Sequence, residues 1–193
     1  MRRNKKFAHS EKTKFAYWLV VASHTNFKLQ VFSRPEKVGG VNVPSTLDEL
    51  TIGQLMELSK LENSNESFYT ICSIILGLNH KQVSKARAVD VVRFVGWVVG
   101  QVNKINKLFE KTNIEPTQEE KKAGIESLKF GLFGMVDWYA KRMGIQNHDE
   151  VLQVPWLRIY KCLDMDNKTA LFNRRLNKVY NDEYRQKARG HSN

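Results

Sequence analysis

The sequence contains few of the residues that mark covalently or metal-stabilised proteins. Only two of its 193 residues are cysteines, Cys72 and Cys162, and both lie in apolar patterns with helical spacing. Two cysteines so far apart provide neither a disulfide framework nor a metal cluster. We therefore expect both to be reduced packing residues.

Long apolar runs are also lacking. The most apolar stretch, residues 89–102, is short and contains Arg93 and Gln101, so it is typical of a protein core and not of a membrane span. The basic start of the chain is followed by a short apolar stretch at residues 15–22, without a small-residue cleavage site at the right place. We expect an uncleaved, non-exported chain with no membrane partner.

Motifs that carry chemistry are missing as well. There is no G-x-S-x-G sequence, and Gly39-Gly40 is not followed by the Lys-Ser/Thr of a phosphate loop. The five histidines show no metal-ligand spacing, and His148-Asp-Glu is better explained by a helix cap at Asn147. We predict a non-enzymatic protein with no catalytic residue, no metal, no cofactor and no small-molecule substrate.

Positive charge is abundant, and it is concentrated at the two ends. The net charge is +11. Residues 1–40 hold nine Lys/Arg against two acids, and residues 166–193 hold seven against three, whereas residues 41–165 are neutral. Such ends attract phosphates or acidic protein surfaces, although they could also serve solubility alone. The predicted phosphate or acidic-surface contacts are Arg2, Arg3, Lys5, Lys6, Arg174, Arg175, Lys178 and Arg185.

The N-terminal region predicts a basic arm followed by a β-hairpin. Residues 15–23 are aromatic and β-branched, residues 23–26 are turn-like, and residues 27–32 alternate between apolar and polar. Both strands are apolar, so either the helical body or another subunit must cover them. The residues predicted to contact a partner are Phe15, Tyr17, Trp18, Phe27 and Phe32.

The remainder of the chain predicts a mainly α protein, a bundle of about five to six helices. Apolar spacing and capping residues place helices from a Ser45 cap onward and over residues 65–76, 89–111 and 118–143. Shorter helices are expected after Asn147 and from Pro155 to Leu163, and a basic, sparsely apolar helix over residues 168–187. The predicted organisation is an arm with hairpin at residues 1–40, a neutral body at residues 41–165 and a basic C-terminal helix at residues 166–193.

Four segments carry a resemblance to known proteins. They are VPSTLDELTIGQLMEL at residues 43–58, AGIESLKFGLFG at residues 123–134, DEVLQVPW at residues 149–156 and LFNRRL at residues 171–176. Together they resemble uncharacterised proteins of tailed bacteriophages, especially crAss-like or related phages of Bacteroidetes. These segments combine helix caps with packing residues.

The resemblance implies a virion structural protein at the head–tail junction or tail, assembled in the host cytoplasm. Its partners would be other virion proteins, including its own copies in a homo-oligomer or ring, with possible non-specific contact with packaged DNA. A tail-assembly chaperone absent from the mature particle is the first alternative. A sequence-independent nucleic-acid-binding protein, without a helix-turn-helix, zinc finger or RNP motif, is the second.

Overall fold

The computed structural model describes residues 13–22, 32–62, 64–128 and 130–190. These residues form nine α-helices, one short 3-10 helix and one two-stranded antiparallel hairpin. The predicted mainly α fold class with a β-hairpin is confirmed. There are more helices than the predicted five to six, because short capped helices stand where the sequence suggested loops or single longer helices.

The helices and strands are numbered in chain order. Their bounds are α1 (Phe15–Ala22), β1 (Lys37–Val38), β2 (Val41–Asn42), α2 (Ile52–Lys60), α3 (Asn65–Leu76), α4 (His80–Lys85), α5 (Ala88–Lys111), α6 (Gln118–Lys122), α7 (Gly131–Met143), α8 (His148–Leu152) and α9 (Trp156–Gly190). The 3-10 helix, Ile125–Ser127, lies between α6 and α7.

The contacts divide the chain into two compact units. Unit 1 comprises the described residues up to Asn106 together with Leu152–Trp156, and unit 2 comprises Lys107–Val151 and the residues from Leu157 onward. The charge-based division at residues 40 and 165 is a different partition, because net charge and packing are set by different side chains.

An aromatic cluster organises the first part of unit 1. Phe15 of α1 is fully buried, and its ring lies 5.3–5.8 Å from the rings of Trp18, Phe68 and Tyr69. The backbone amide of Phe15 donates to the carbonyl of Ala86 at 2.9 Å. Helix α1 is thus held by side chains on one face and by a main-chain bond at its start.

The predicted strand over residues 15–23 is wrong, because this segment is helical over residues 15–22. Its apolar residues Phe15, Trp18 and Leu19 lie at i, i+3 and i+4, so a helix buries all three on one face. Tertiary packing here outweighs the β-propensity of aromatic and β-branched residues. The predicted second strand, residues 27–32, lies outside the described residues except for Phe32, which is not in a strand.

The observed hairpin lies at Lys37–Asn42, further along the chain than the predicted one. Strand β1 pairs with β2 through a turn at Gly39 and Gly40, whose φ angles are +57° and +86°. Two consecutive positive φ angles are typical of a two-residue type I′ turn, where glycine is favoured. Val38 is completely buried, which anchors the hairpin to unit 1.

The start of the helical body also differs from the prediction. The first helix after the hairpin begins at Ile52, and its cap is Thr51 instead of Ser45. The Thr51 hydroxyl accepts from the Gln54 amide at 3.1 Å, and the Gln54 side chain accepts from the Thr51 amide at 3.0 Å. This reciprocal capping box satisfies two amides that a helix start would otherwise leave unpaired. Leu47 and Leu50 are buried in the preceding turn and not on a helix.

The segment Leu152–Trp156 returns to unit 1 and packs on the turn before α2. The Ile52 amide donates to the carbonyl of Val154 at 2.8 Å, and the Trp156 amide donates to the carbonyl of Leu50 at 2.9 Å. The Trp156 indole also donates from Nε1 to the carbonyl of Leu47 at 2.8 Å. One tryptophan therefore joins a distant segment of the chain to this turn.

Gly53→Ala is expected to lower the free energy of unfolding by about 1–3 kcal/mol. A Cβ at Gly53 would lie 2.9 Å from the carbonyl oxygen and 3.2 Å from the Cβ of Leu152. The clash is with backbone, so the segment must shift, although alanine is itself the better helix former. Urea denaturation followed by circular dichroism measures the change, and a stabilised variant would contradict the close approach.

Two predicted helices of unit 1 are confirmed. Helix α3 spans Asn65–Leu76 and ends at Gly77, whose φ of +65° is left-handed as expected for a glycine C-cap. Helix α5 begins at Ala88, one residue before the predicted start, and ends at Lys111.

In unit 2, the predicted single helix over residues 118–143 is interrupted. Helix α6 ends at Lys122, and α7 begins at Gly131. Gly124 lies between the two helices with a φ of +81°, and Gly131, the first residue of α7, has a φ of +56°. A right-handed helix cannot continue through either residue. The predicted end of α7 at Gly144 and the Asn147 cap are confirmed: the Asn147 side chain accepts from the Asp149 amide at 2.9 Å.

Helix α9 is longer than expected. The sequence predicted a helix from Pro155 and a separate one over residues 168–187, but one helix of 35 residues spans Trp156–Gly190. No proline or glycine interrupts it before its last residue. At 1.5 Å per residue it extends about 52 Å.

Candidate interaction surface

The last two-thirds of helix α9 form the most exposed part of unit 2. From Asn177 to Ala188 every described side chain is exposed. The amino-terminal part is held by contacts within the unit: the side-chain amide of Asn167 donates to the carbonyl of Thr112, and Arg142 pairs with Asp166. The helix is therefore anchored at one end and presents its other end to solvent.

An apolar stripe runs along α9 on a side that is open to solvent. Phe172 is 54% exposed, Val179 52% and Met165 60%, and at about 100° per residue these three lie within about 40° of one another. Leu176 lies on the same side and is half-buried. Exposed apolar side chains in a continuous row are typical of an interaction surface, whereas isolated ones are ordinary.

The predicted basic contacts of α9 lie mostly away from this stripe. Arg175, Lys178 and Arg185 are exposed. Arg174 is half-buried, because its guanidinium donates to Glu120 Oε1 at 2.7 Å and to the carbonyl of Glu115 at 3.1 Å. Arg174 is thus engaged within unit 2, and the three other cations are accessible to an anionic partner.

The residues of the N-terminal region that were predicted to contact a partner differ in their exposure. Phe15 and Trp18 are buried in the aromatic cluster of unit 1, so they pack on their own chain and their prediction as partner contacts is wrong. Tyr17 is 58% exposed, and Phe32 is half-buried. The four cations Arg2, Arg3, Lys5 and Lys6, together with Phe27, lie outside the described residues.

Unit 1 contains a groove of about 480 Å³ between the end of α2, helix α3 and helix α5. Its apolar lining includes Leu58, Phe68, Ile71, Val98 and Val102. Glu62 is the one ionisable group among the described lining residues, and the other polar groups are serine hydroxyls and asparagine amides. Such a lining can bind apolar groups, but it does not bring together an acid, a base and a nucleophile.

The titratable groups with shifted pKa values have structural explanations. Burial raises the pKa of Cys72 to about 12, so this thiol does not form a nucleophilic thiolate at neutral pH. The hydrogen bond from Lys141 lowers the pKa of Asp137, and His148 at 3.4 Å contributes further. Within the described residues no group of three or more histidine, cysteine or acidic side chains could hold a metal ion.

Comparison with known proteins finds no matching family model, no matching curated protein and no matching solved structure. Among the described residues, no helix is both long enough and apolar enough to cross a lipid bilayer. The exposed apolar and basic side chains of α9 are therefore the main indication of function.

Part of the stripe was visible in the sequence and part was missed. The predicted, sparsely apolar helix over residues 168–187 depends on the spacing of its apolar residues Leu171, Phe172, Leu176, Val179 and Tyr180. Met165 was not included, because the helix was expected to begin at Lys168 and not to continue from Trp156. The absence of proline and glycine between Trp156 and Lys168 is the signal that would have joined the two predicted helices.

Proposed function

We propose that this protein is a non-enzymatic structural component of a tailed-bacteriophage virion, built into the head–tail junction or tail. The observation that carries the proposal is the solvent-facing apolar stripe on the long helix α9, whose side chains are exposed from Asn177 to Ala188. The resemblance of four segments to phage proteins gives the setting. In this role the protein binds other virion proteins and its own copies.

The cations of α9 give the same helix a second kind of contact. Arg175, Lys178 and Arg185 are exposed. Arg175 flanks the apolar row, whereas Lys178 and Arg185 lie about 100° or more around the helix from it, so a helix bound through its stripe still presents these two. They can pair with acidic side chains of a neighbouring subunit or with the phosphates of packaged DNA. Protein contacts would then position the chain, and the cations would add a salt-sensitive attraction.

Mass spectrometry of purified phage particles tests the proposal. We expect the chain at a stoichiometric level, comparable with other head–tail or tail proteins, after density-gradient purification. A non-structural protein encoded by the same phage serves as the control for carry-over from the lysate. Absence of the chain from washed particles would refute a virion role.

The first alternative is a tail-assembly chaperone, which also needs an exposed apolar surface. A chaperone binds during assembly and is then lost, so it would co-purify with a tail protein from infected cells and be missing from mature particles. Particle composition therefore separates the two roles with the same preparation.

The second alternative, sequence-independent nucleic-acid binding, is favoured by the three exposed cations of α9. If they contact phosphates, DNA affinity should fall steeply with salt. Replacing Arg175, Lys178 and Arg185 by glutamine should then reduce the slope of log K against log[salt] by up to about three. Fluorescence anisotropy with a labelled duplex measures the slope.

A matched control variant carries glutamine at three exposed lysines of unit 1, namely Lys81, Lys85 and Lys104. It removes the same net charge from a different surface. Equal losses of affinity in the two variants would show attraction by total charge alone, and an unchanged slope in the α9 variant would exclude DNA as a partner of this helix.

A further inference from the structure

We propose that the apolar stripe of α9 binds the same stripe of a second copy, with the two helices antiparallel across a two-fold axis. This inference rests on the proposed assembly role and specifies its partner. It is carried by the heptad spacing of exposed residues on α9 and by the charges that flank them.

The stripe has the spacing of a coiled-coil seam. Met165, Thr169, Phe172, Leu176 and Val179 follow one another at intervals of four, three, four and three residues. This alternation keeps one row of side chains facing a partner helix. Thr169, Met165, Phe172 and Val179 are exposed and Leu176 is half-buried, so the seam faces solvent over about four turns.

An antiparallel pair brings complementary residues of the two seams together. In one antiparallel register, Leu176 of one helix faces Phe172 of the second helix. Thr169 then faces Val179 of the second helix. Met165 faces Glu183 in the same way. The apolar centre is then fully matched, and the only acidic seam residue lies at the end, near solvent. A parallel pair in register would instead place Glu183 directly against its own copy, which is unfavourable.

The flanking charges favour the same arrangement. The antiparallel register places Lys168 beside Asp182 of the other helix, and the two-fold axis creates this pair twice. Lys168 donates to Asp164 at 2.7 Å within its own helix, but an ammonium group has three donors and can meet a second carboxylate. Both Lys168 and Asp182 are exposed, so the pair can form without a large desolvation cost.

One residue opposes the pairing and provides a sharp test. Arg175 flanks the centre of the seam, so the two-fold axis sets it beside its own copy. Like charges so placed weaken association. Replacing Arg175 by glutamine should therefore raise the association constant several-fold, whereas a partner with an acidic surface would bind this variant less tightly.

Cysteine cross-linking determines the orientation. In a Cys162→Ser background, a chain with Thr169→Cys is mixed with a chain with Val179→Cys and oxidised mildly. The antiparallel seam predicts a disulfide-linked heterodimer as the main product and little linked homodimer from either chain alone. Homodimers of the Thr169→Cys chain as the main product would indicate a parallel pair and overturn the proposal.

Sedimentation equilibrium measures the association itself. We expect the full chain to dimerise in the micromolar range, and the double variant Phe172→Asp, Val179→Asp to associate at least about a hundredfold more weakly. Tyr184→Asp is the matched control, because Tyr184 is 77% exposed but lies off the seam. A chain that stays monomeric up to ~1 mM, or equal losses in both variants, would refute self-pairing.

A charge swap tests the register. Lys168→Asp or Asp182→Lys alone should weaken association several-fold, and the two changes together should restore it. Failure of the double variant to recover would exclude this register. These results are independent of particle composition: a monomeric chain found in virions would refute only self-pairing, and a dimer absent from virions would refute only the virion role.

Discussion

Trp156→Ala is expected to lower the free energy of unfolding by about 3–5 kcal/mol. The side chain is 2% exposed and fills the space between segment 152–156 and the turn before α2. The substitution removes a large apolar surface and leaves a cavity. It also removes the indole donor of the 2.8 Å hydrogen bond and leaves the Leu47 carbonyl without that partner.

Trp156→Phe separates the contribution of apolar burial from that of the indole hydrogen bond. Phenylalanine keeps most of the apolar contact but has no ring N–H, so we expect a smaller loss of about 1–3 kcal/mol from the lost indole hydrogen bond and the reduced volume. Urea denaturation followed by far-ultraviolet circular dichroism measures both variants. A loss below about 1 kcal/mol for the alanine variant would show that the segment is not held by this side chain.

Phe15→Ala is expected to cost a similar amount, about 3–5 kcal/mol. The ring is fully buried and contacts three other aromatic rings, those of Trp18, Phe68 and Tyr69. Aromatic pairs of this geometry contribute beyond the area that they bury. The expected result is detachment of α1 or unfolding of unit 1, which hydrogen exchange at the amides of residues 15–22 and of α3 distinguishes.

The matched control is Tyr17→Ala on the same short helix. Tyr17 is 58% exposed, so its loss should change the free energy of unfolding by no more than about 0.5 kcal/mol. Should Tyr17→Ala prove as destabilising as Phe15→Ala, the buried face of α1 would be assigned wrongly. Tyr17 would then be a packing residue and not a candidate for contact with a partner.

The sequence was sufficient to predict the bounds of a helix where that helix has both a clear apolar period and a strong stop signal. Helix α3 was predicted within its observed bounds, because Gly77 follows it and its apolar residues fall at helical spacing. The Asn147 cap and the Gly144 stop were likewise local: each depends on one side chain or one φ angle. The concentration of positive charge at the chain ends also follows from the sequence alone.

The sequence was insufficient to predict secondary structure where contacts with distant segments of the chain determine it. Residues 15–22 have strand propensity, but the aromatic cluster that forms with α3 selects the helix that buries Phe15, Trp18 and Leu19 together. The helix predicted over residues 118–143 is broken by two left-handed glycines, and helical periodicity does not reveal a glycine's φ angle.

The interaction surface divides in the same way. Its basic residues and, except for Met165, its apolar residues were identified from composition and spacing, because a helix orders its side chains by a fixed rotation per residue. The tertiary structure decided which of them are accessible: Arg174 is held by Glu120, and Phe15 and Trp18 are buried in unit 1, whereas Phe172 and Val179 remain exposed. Local sequence determines the face on which a residue lies, but only the packing of distant segments determines whether that face is covered.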